Sequence, residues 1–144
     1  MRESFDSFVF MGVPKAVQSF RFTKKGRRYQ PSEVVEWKNY IRLLAMTQIA
    51  EKDNFQMFCG PVEIEVEFIF PPIQSWNKAT KEAFESGGKI YKTTKPDLTD
   101  NLMKGLIDAL SGIIWERDQL ICKESSEKFY GKKPQIILRV KEIN

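Results

Sequence analysis

KPDLTDNLMKGLIDALSGIIWERDQLI, residues 95–121, gathers four aspartates into a stretch that must change backbone conformation more than once. Pro96 disfavours a helical Lys95, so the chain should reach Asp97 extended and turn into a helix near Asn101. At about 100° per residue, Leu102, Met103, Leu106, Ile107, Ala109 and Leu110 share one side of that helix. Asp100, Lys104 and Asp108 line the other. The helix is amphipathic and needs an apolar surface to cover.

Its polar side starts at a helix N-terminus, follows Asp97 and precedes Asp118. A hard divalent cation such as Mg²⁺ takes carboxylate oxygens from several chain positions and leaves sites for water and phosphate. Asp97, Asp100 and Asp118 could supply those oxygens. The same residues admit a plainer account: Asp100 as an N-cap, Asp108 paired with Lys104 at i,i+4, and the other aspartates in polar turns.

Towards the C-terminus, residues 120–129 and 135–143 read as strands joined by the basic turn Tyr130-Gly131-Lys132-Lys133-Pro134, a C-terminal β-hairpin. Towards the N-terminus, PVEIEVEFIF contains the cleanest strand, residues 62–70. Val62, Ile64, Val66 and Phe68 alternate there with Glu63, Glu65 and Glu67. Side chains two apart on a strand lie about 6.5 Å apart along its axis, wide for ligands of one ion, so the glutamates read as a polar face. Residues 73–92 carry Trp76, a short helix over 78–85, and the break Ser86-Gly87-Gly88. With Lys78, Lys81, Lys89 and Lys92 this segment reads as a loop beside the acidic stretch.

A long helix is predicted over residues 31–52, opened by Pro31, Ser32 and Glu33 and carrying Val34, Trp37, Ile41, Leu44 and Ala45 at helical spacing. Residues 5–11 read as a first strand. Between them lies PKAVQSFRFTKKGRRYQ, residues 14–30, with Lys15, Arg21, Lys24, Lys25, Arg27 and Arg28 and no acidic residue. Phe20, Phe22 and Tyr29 are interleaved, and Gly26 suits a turn between two extended arms. Such a segment can grip phosphates through counterion release and stack aromatics on exposed bases. It also fits a solvated loop beside a strand with one buried face. The order of elements predicts one α+β domain over residues 1–144, a mixed sheet with two main helices packed on one face.

With 144 residues, 42% of them hydrophobic and 12% aromatic, the chain can bury a modest core. The net charge of +4 suits a polyanionic partner. No histidine is present, which removes His-based acid/base catalysis and the commonest zinc sites. Cys59 and Cys122 have no C-x-x-C spacing and read as reduced thiols. Neither a signal-peptide h-region nor a run long enough to cross a membrane is found, so a cytoplasmic protein is expected.

Residues 95–121 resemble the signature of the RusA-like Holliday junction resolvases of bacteria and their phages: K/R-P-D-x-D-N-x-x-K, then D-A-L and a glycine, then an aromatic, an acidic pair and Gln. The matching residues are Lys95, Pro96, Asp97, Asp100, Asn101, Lys104, Asp108, Ala109, Leu110, Gly112, Trp115, Asp118 and Gln119. The chain departs from the pattern twice. Leu98 and Thr99 both lie between Asp97 and Asp100, where the family has one residue, and the acidic pair reads Arg117-Asp118 with Gln119 directly following.

The resemblance implies a Mg²⁺-dependent endonuclease, with Mn²⁺ as a substitute, that resolves four-way DNA junctions by paired nicks in recombination and repair. It further implies a homodimer of phage or prophage type, acting on branched DNA without a membrane or a nucleotide cofactor. Asp97, Asp100 and Asp118 take the metal role and Lys104 a catalytic one. Asp108 stands between ligand and helix-face support, and Glu116 is the substitute acid. Lys15, Arg21, Lys24, Lys25, Arg27 and Arg28 are the expected DNA contacts. Two other functions fit the residues: an inactive junction-binding module and a flap-type nuclease on the same scaffold.

Overall fold

In chain order the elements are β1 (Asp6–Met11), β2 (Arg21–Phe22), β3 (Arg28–Tyr29), α1 (Ser32–Glu51), β4 (Val62–Phe70) and α2 (Lys78–Glu85). A π-helical turn (Leu98–Met103) then runs into α3 (Lys104–Leu110), and a 3₁₀ turn (Asp118–Leu120) into β5 (Ile121–Tyr130), before β6 (Gln135–Glu142). These come from a computed structural model, which describes residues 4–15, 21–22, 26, 28–29 and 32–144.

β4 is an inner strand because its alternation lets it serve two environments. Val62, Ile64, Val66 and Phe68 are buried against the helices, each removing apolar surface worth about 1.5–3 kcal/mol. On the other face the glutamates find cross-strand cations. Glu63 lies 3.8 Å from Lys123 and 3.6 Å from Lys141, and Glu67 lies 3.0 Å from Arg139.

The sheet order is β1-β6-β4-β5, with β4 antiparallel to β6 and parallel to β5. The sheet is therefore mixed, and the α+β class agrees with the sequence reading. The expected C-terminal hairpin takes a different form. β5 and β6 are both present but do not pair with each other, because β4 lies between them. Gly131, in the connecting turn, donates its N–H to Phe70 O at the end of β4, 2.9 Å away. A Cβ there would meet Ile69 Cγ2 at 2.5 Å, so the turn passes too close to β4 for any side chain.

α1 and α3 are the two main helices over the inner face. Val34, Trp37, Ile41 and Ala45 of α1 join Leu102, Leu106 and Ala109 and the strand residues Phe8, Phe10, Ile136, Leu138 and Val140 in one apolar cluster. α1 stops near Asn54, which adopts the left-handed conformation at φ 59°. α2 spans the residues expected, with the Asn77 side chain accepting from Thr80 N at 2.8 Å.

Both sheet edges are partly closed. At β1, Val9 N donates to Gln48 Oε1 (2.9 Å), Gln48 Nε2 donates to Val9 O (2.7 Å), and Tyr40 OH donates to Met11 O (3.0 Å). Side chains of α1 thus satisfy backbone groups that would otherwise invite another strand. At β5, Lys92 N donates to Lys128 O and Tyr130 N to Ile90 O, at 3.1 and 3.0 Å. Lys89 also reaches Glu127 at 2.6 Å, and that hydrogen bond raises its ammonium above the ordinary lysine range.

β2 and β3 pair antiparallel, Arg21 with Tyr29 and Phe22 with Arg28, and Gly26 between them has φ 78°. Gly26, where the turn was expected, thus lies in the chain between the two paired strands. Lys24, Lys25 and Arg27 lie outside the described residues, and so do the side chains of Arg21 and Arg28. Among the described residues no helix is long and apolar enough to cross a membrane.

Candidate nuclease site

The acidic stretch is hung from two anchors, the wide turn that buries Leu102 and the loop that buries Trp115. Lys95–Pro96 is a cis peptide, and Asp97 follows it with extended backbone (φ −66°, ψ 139°). Leu102 N then donates to Asp97 O at 3.1 Å, an i→i+5 bond that opens the wide turn, and Lys104 N donates to Thr99 O. This turn begins at Leu98, three residues before the helix start expected at Asn101. A π turn takes in one residue more than an α turn, and Leu98, Thr99 and Asp100 all lie within it. The apolar phase survives: Leu102, Met103, Leu106, Ala109 and Leu110 are buried, Ile107 is half-buried, and Asp100, Lys104 and Asp108 are exposed.

The second anchor is Trp115, fully buried, whose Nε1 donates to Ser111 Oγ at 3.0 Å while that hydroxyl donates to Ile107 O at 2.9 Å. α3 ends at this point, with Ser111 extended and Gly112 at φ 86°. Phe58 N donates to Ile114 O and Glu116 N to Phe58 O, each at 2.9 Å, tying the loop to the segment that leads into β4. Asp118 therefore enters its 3₁₀ turn from a backbone fixed on both sides of Trp115.

Between α3 and the start of β5 lies a cleft of about 470 Å³, lined by Lys104, Ile107, Asp108, Asp118, Ile121, Cys122, Lys123 and Glu124. It brings together Lys104, Asp108 and Asp118 of the residues expected from sequence. Asp97, Asp100 and Glu116 are exposed but do not line it. Lys15 lies elsewhere, lining a groove of about 420 Å³ between the end of β1 and α1.

Charge pairing divides the group. Asp108 pairs with Lys38 of α1 and not with Lys104; Lys38 has a side chain only 14% exposed, against 58% for Asp108. That bond ties α3 to α1 and leaves Lys104 without a carboxylate partner among the described residues. Asp97, Asp100 and Asp118 likewise make no ion pair among the described residues. Their carboxylates are hard oxygen donors, suited to a divalent cation that keeps several waters and takes its remaining ligands from substrate phosphate. No ready-made group of three such side chains occurs among the described residues.

Sequence reasoning missed three neighbours: Glu124 and Lys123, on the far wall of the cleft, and Lys128. Lys128 Nζ donates to Thr94 O and to Pro96 O, both at 2.7 Å. The sequence carried no signal for it, because its register with inward-facing Phe68 is set by the sheet.

The chain matches the family model of Endodeoxyribonuclease RusA over residues 11–141. It is also 30% identical, over 115 residues, to the uncharacterized protein YqaN of Bacillus subtilis, covering 79% of this chain and 78% of that protein.

Proposed function

The chain belongs to the RusA endodeoxyribonuclease family, and on that premise we propose that it cuts four-way DNA junctions by paired, divalent-metal-dependent nicks. The family is one of Holliday junction resolving endonucleases. The observation that best supports the same activity here is the cleft that gathers Lys104 and Asp118 with neither charge spent on an ion pair among the described residues.

Asp100 and Asp118, with Asp97, are the proposed ligands of Mg²⁺, or of Mn²⁺ in its place. Bound there, the cation supplies Lewis acidity towards the scissile phosphate and an activated water. Lys104, on the cleft wall, places its ammonium where negative charge grows on the phosphate oxygens during displacement. Asp108, held by Lys38, supports the helix face that carries Lys104, and Glu116 is the reserve acid. Resolving a junction requires nicks in two strands of the same polarity placed symmetrically about the branch point, which a two-fold homodimer matches with two equivalent sites.

The absence of a ready-made group of three ligands among the described residues favours one second reading, a junction-binding module without catalysis. One experiment separates the two. A synthetic four-way junction should be nicked in Mg²⁺ and left intact in EDTA, while linear duplex is spared. Binding without nicking in either Mg²⁺ or Mn²⁺ would leave the inactive module, and preferred cutting of a flap control would make the protein a flap-type nuclease.

The basic segment, Lys15, Arg21, Lys24, Lys25, Arg27 and Arg28, is the proposed grip on DNA. Replacing Lys24, Lys25, Arg27 and Arg28 with alanine should flatten the plot of log affinity against log salt by about 3–4, at roughly 0.9 per lost phosphate contact. A slope equal to the parent's would make the segment a solvated loop.

A further inference from the structure

Lys128 sits where the sheet predicts an apolar side chain. Its register partner Phe68 is fully buried on the helix-covered face, and the neighbouring inward positions of β5, Ser126 and Tyr130, pair with Val66 and Phe70. Lys128 has no carboxylate partner among the described residues. Of its three N–H donors, two go to main-chain carbonyls, Thr94 O and Pro96 O, at 2.7 Å each. Hydrogen bonds from an ionised donor are among the stronger ones a loop can receive.

The second carbonyl has a particular value. Pro96 carries no N–H, so its carbonyl is the one backbone group through which that residue can be held. The next carbonyl, Asp97 O, accepts from Leu102 N at 3.1 Å, and Leu102 is itself buried in the core. Both peptide planes that flank the Asp97 Cα are thereby fixed, one by Lys128 and one by the wide turn. The side chain of Asp97 keeps only its own rotations.

We propose that Lys128 is a positioning residue for Asp97, acting through the Pro96 carbonyl and not on DNA. The proposal rests on the nuclease reading for its catalytic consequence, while the tether itself is testable without it. Removing the ammonium should release the segment before the wide turn, so that Asp97 samples many directions and Leu102 N loses a fixed acceptor. Such a group, one shell out from a functional carboxylate, is worth about 10–100-fold when removed.

The test uses the full chain with Lys128→Met, which keeps an unbranched stem beside Phe68, and Lys128→Arg, which restores charge and donors. In metal-free protein, amide exchange at Leu102 should quicken by about tenfold in Lys128→Met and return towards the parent rate in Lys128→Arg, both variants melting near the parent temperature. In junction cleavage, Lys128→Met should lose about tenfold or more in kcat with KM within about twofold, and Lys128→Arg should recover most of it. Unchanged Leu102 exchange in Lys128→Met would overturn the proposal. So would a raised KM at unchanged kcat, the mark of a lost phosphate contact. If the parent protein nicks no junction, the exchange comparison still decides the tether, and only the nuclease reading falls.

Discussion

Asp118→Asn should abolish junction cleavage while leaving junction binding intact or tighter, and Asp100→Asn should do the same. The substitution removes a charge at nearly constant volume. Both side chains are exposed and neither makes an ion pair among the described residues, so neither change breaks a structural bond. Loss of one charged ligand from a cation that polarises phosphate is expected to cost several kcal/mol in the transition state, or about a thousandfold in kcat for roughly 4 kcal/mol. Affinity moves the other way because an asparagine repels phosphate less than an aspartate does. Single-turnover cleavage and gel-shift titration on one junction measure the two quantities together. Cleavage within about tenfold of the parent by either variant would remove that residue from the metal site.

Trp115→Ala should destabilise the fold by about 3–5 kcal/mol, the range for truncating a large buried aromatic. Its ring is fully buried in the main cluster, and the Ser111 hydroxyl that accepts from its indole would lose that partner. The loss should reach the site before it reaches the sheet. Residues 111–116 carry the backbone bonds to Phe58 that deliver Asp118 to the cleft, whereas β4 and β6 pair along their whole length without them. Trp115→Phe, which keeps an aromatic ring but loses the hydrogen bond and part of the volume, should cost about 1–3 kcal/mol. Urea unfolding followed by circular dichroism gives both values, and a Trp115→Ala cost below about 1 kcal/mol would show that the loop is held by something else.

What could be read from the sequence was local. The alternation from Val62 to Phe68, the helical spacing of Val34, Trp37, Ile41 and Ala45, and the amphipathic run from Leu102 to Leu110 each carry their period within a few turns of chain, and each element stands where that period places it. What escaped was set by distant partners. A short basic turn between two strands signals a hairpin, and nothing within residues 120–143 reveals that β4 will insert between them. Asp108 has a lysine four residues away in Lys104, yet its partner is Lys38, seventy residues distant. The wide turn from Leu98 to Met103 shows the same limit from the other side. The two residues between Asp97 and Asp100 were visible in the spacing, but the wide turn that holds them while burying Leu102 and Met103 was not.

β4 and β5 are parallel neighbours, so the chain must travel from the end of one to the start of the other, and everything proposed to cut DNA lies on that journey, residues 71–120. The excursion's two ends are therefore held a strand's length apart, roughly 26 Å at about 3.3 Å for each residue step from Val62 to Phe70, by the register that pairs Val62 with Ile121 and Phe70 with Tyr130. Lengthening such a closed excursion is cheap, since the entropy of closure grows only with the logarithm of its length. A lineage can thus rewrite α2, the lysine-bearing loop and the spacing of the aspartates by insertion and deletion, leaving the sheet's register unmoved.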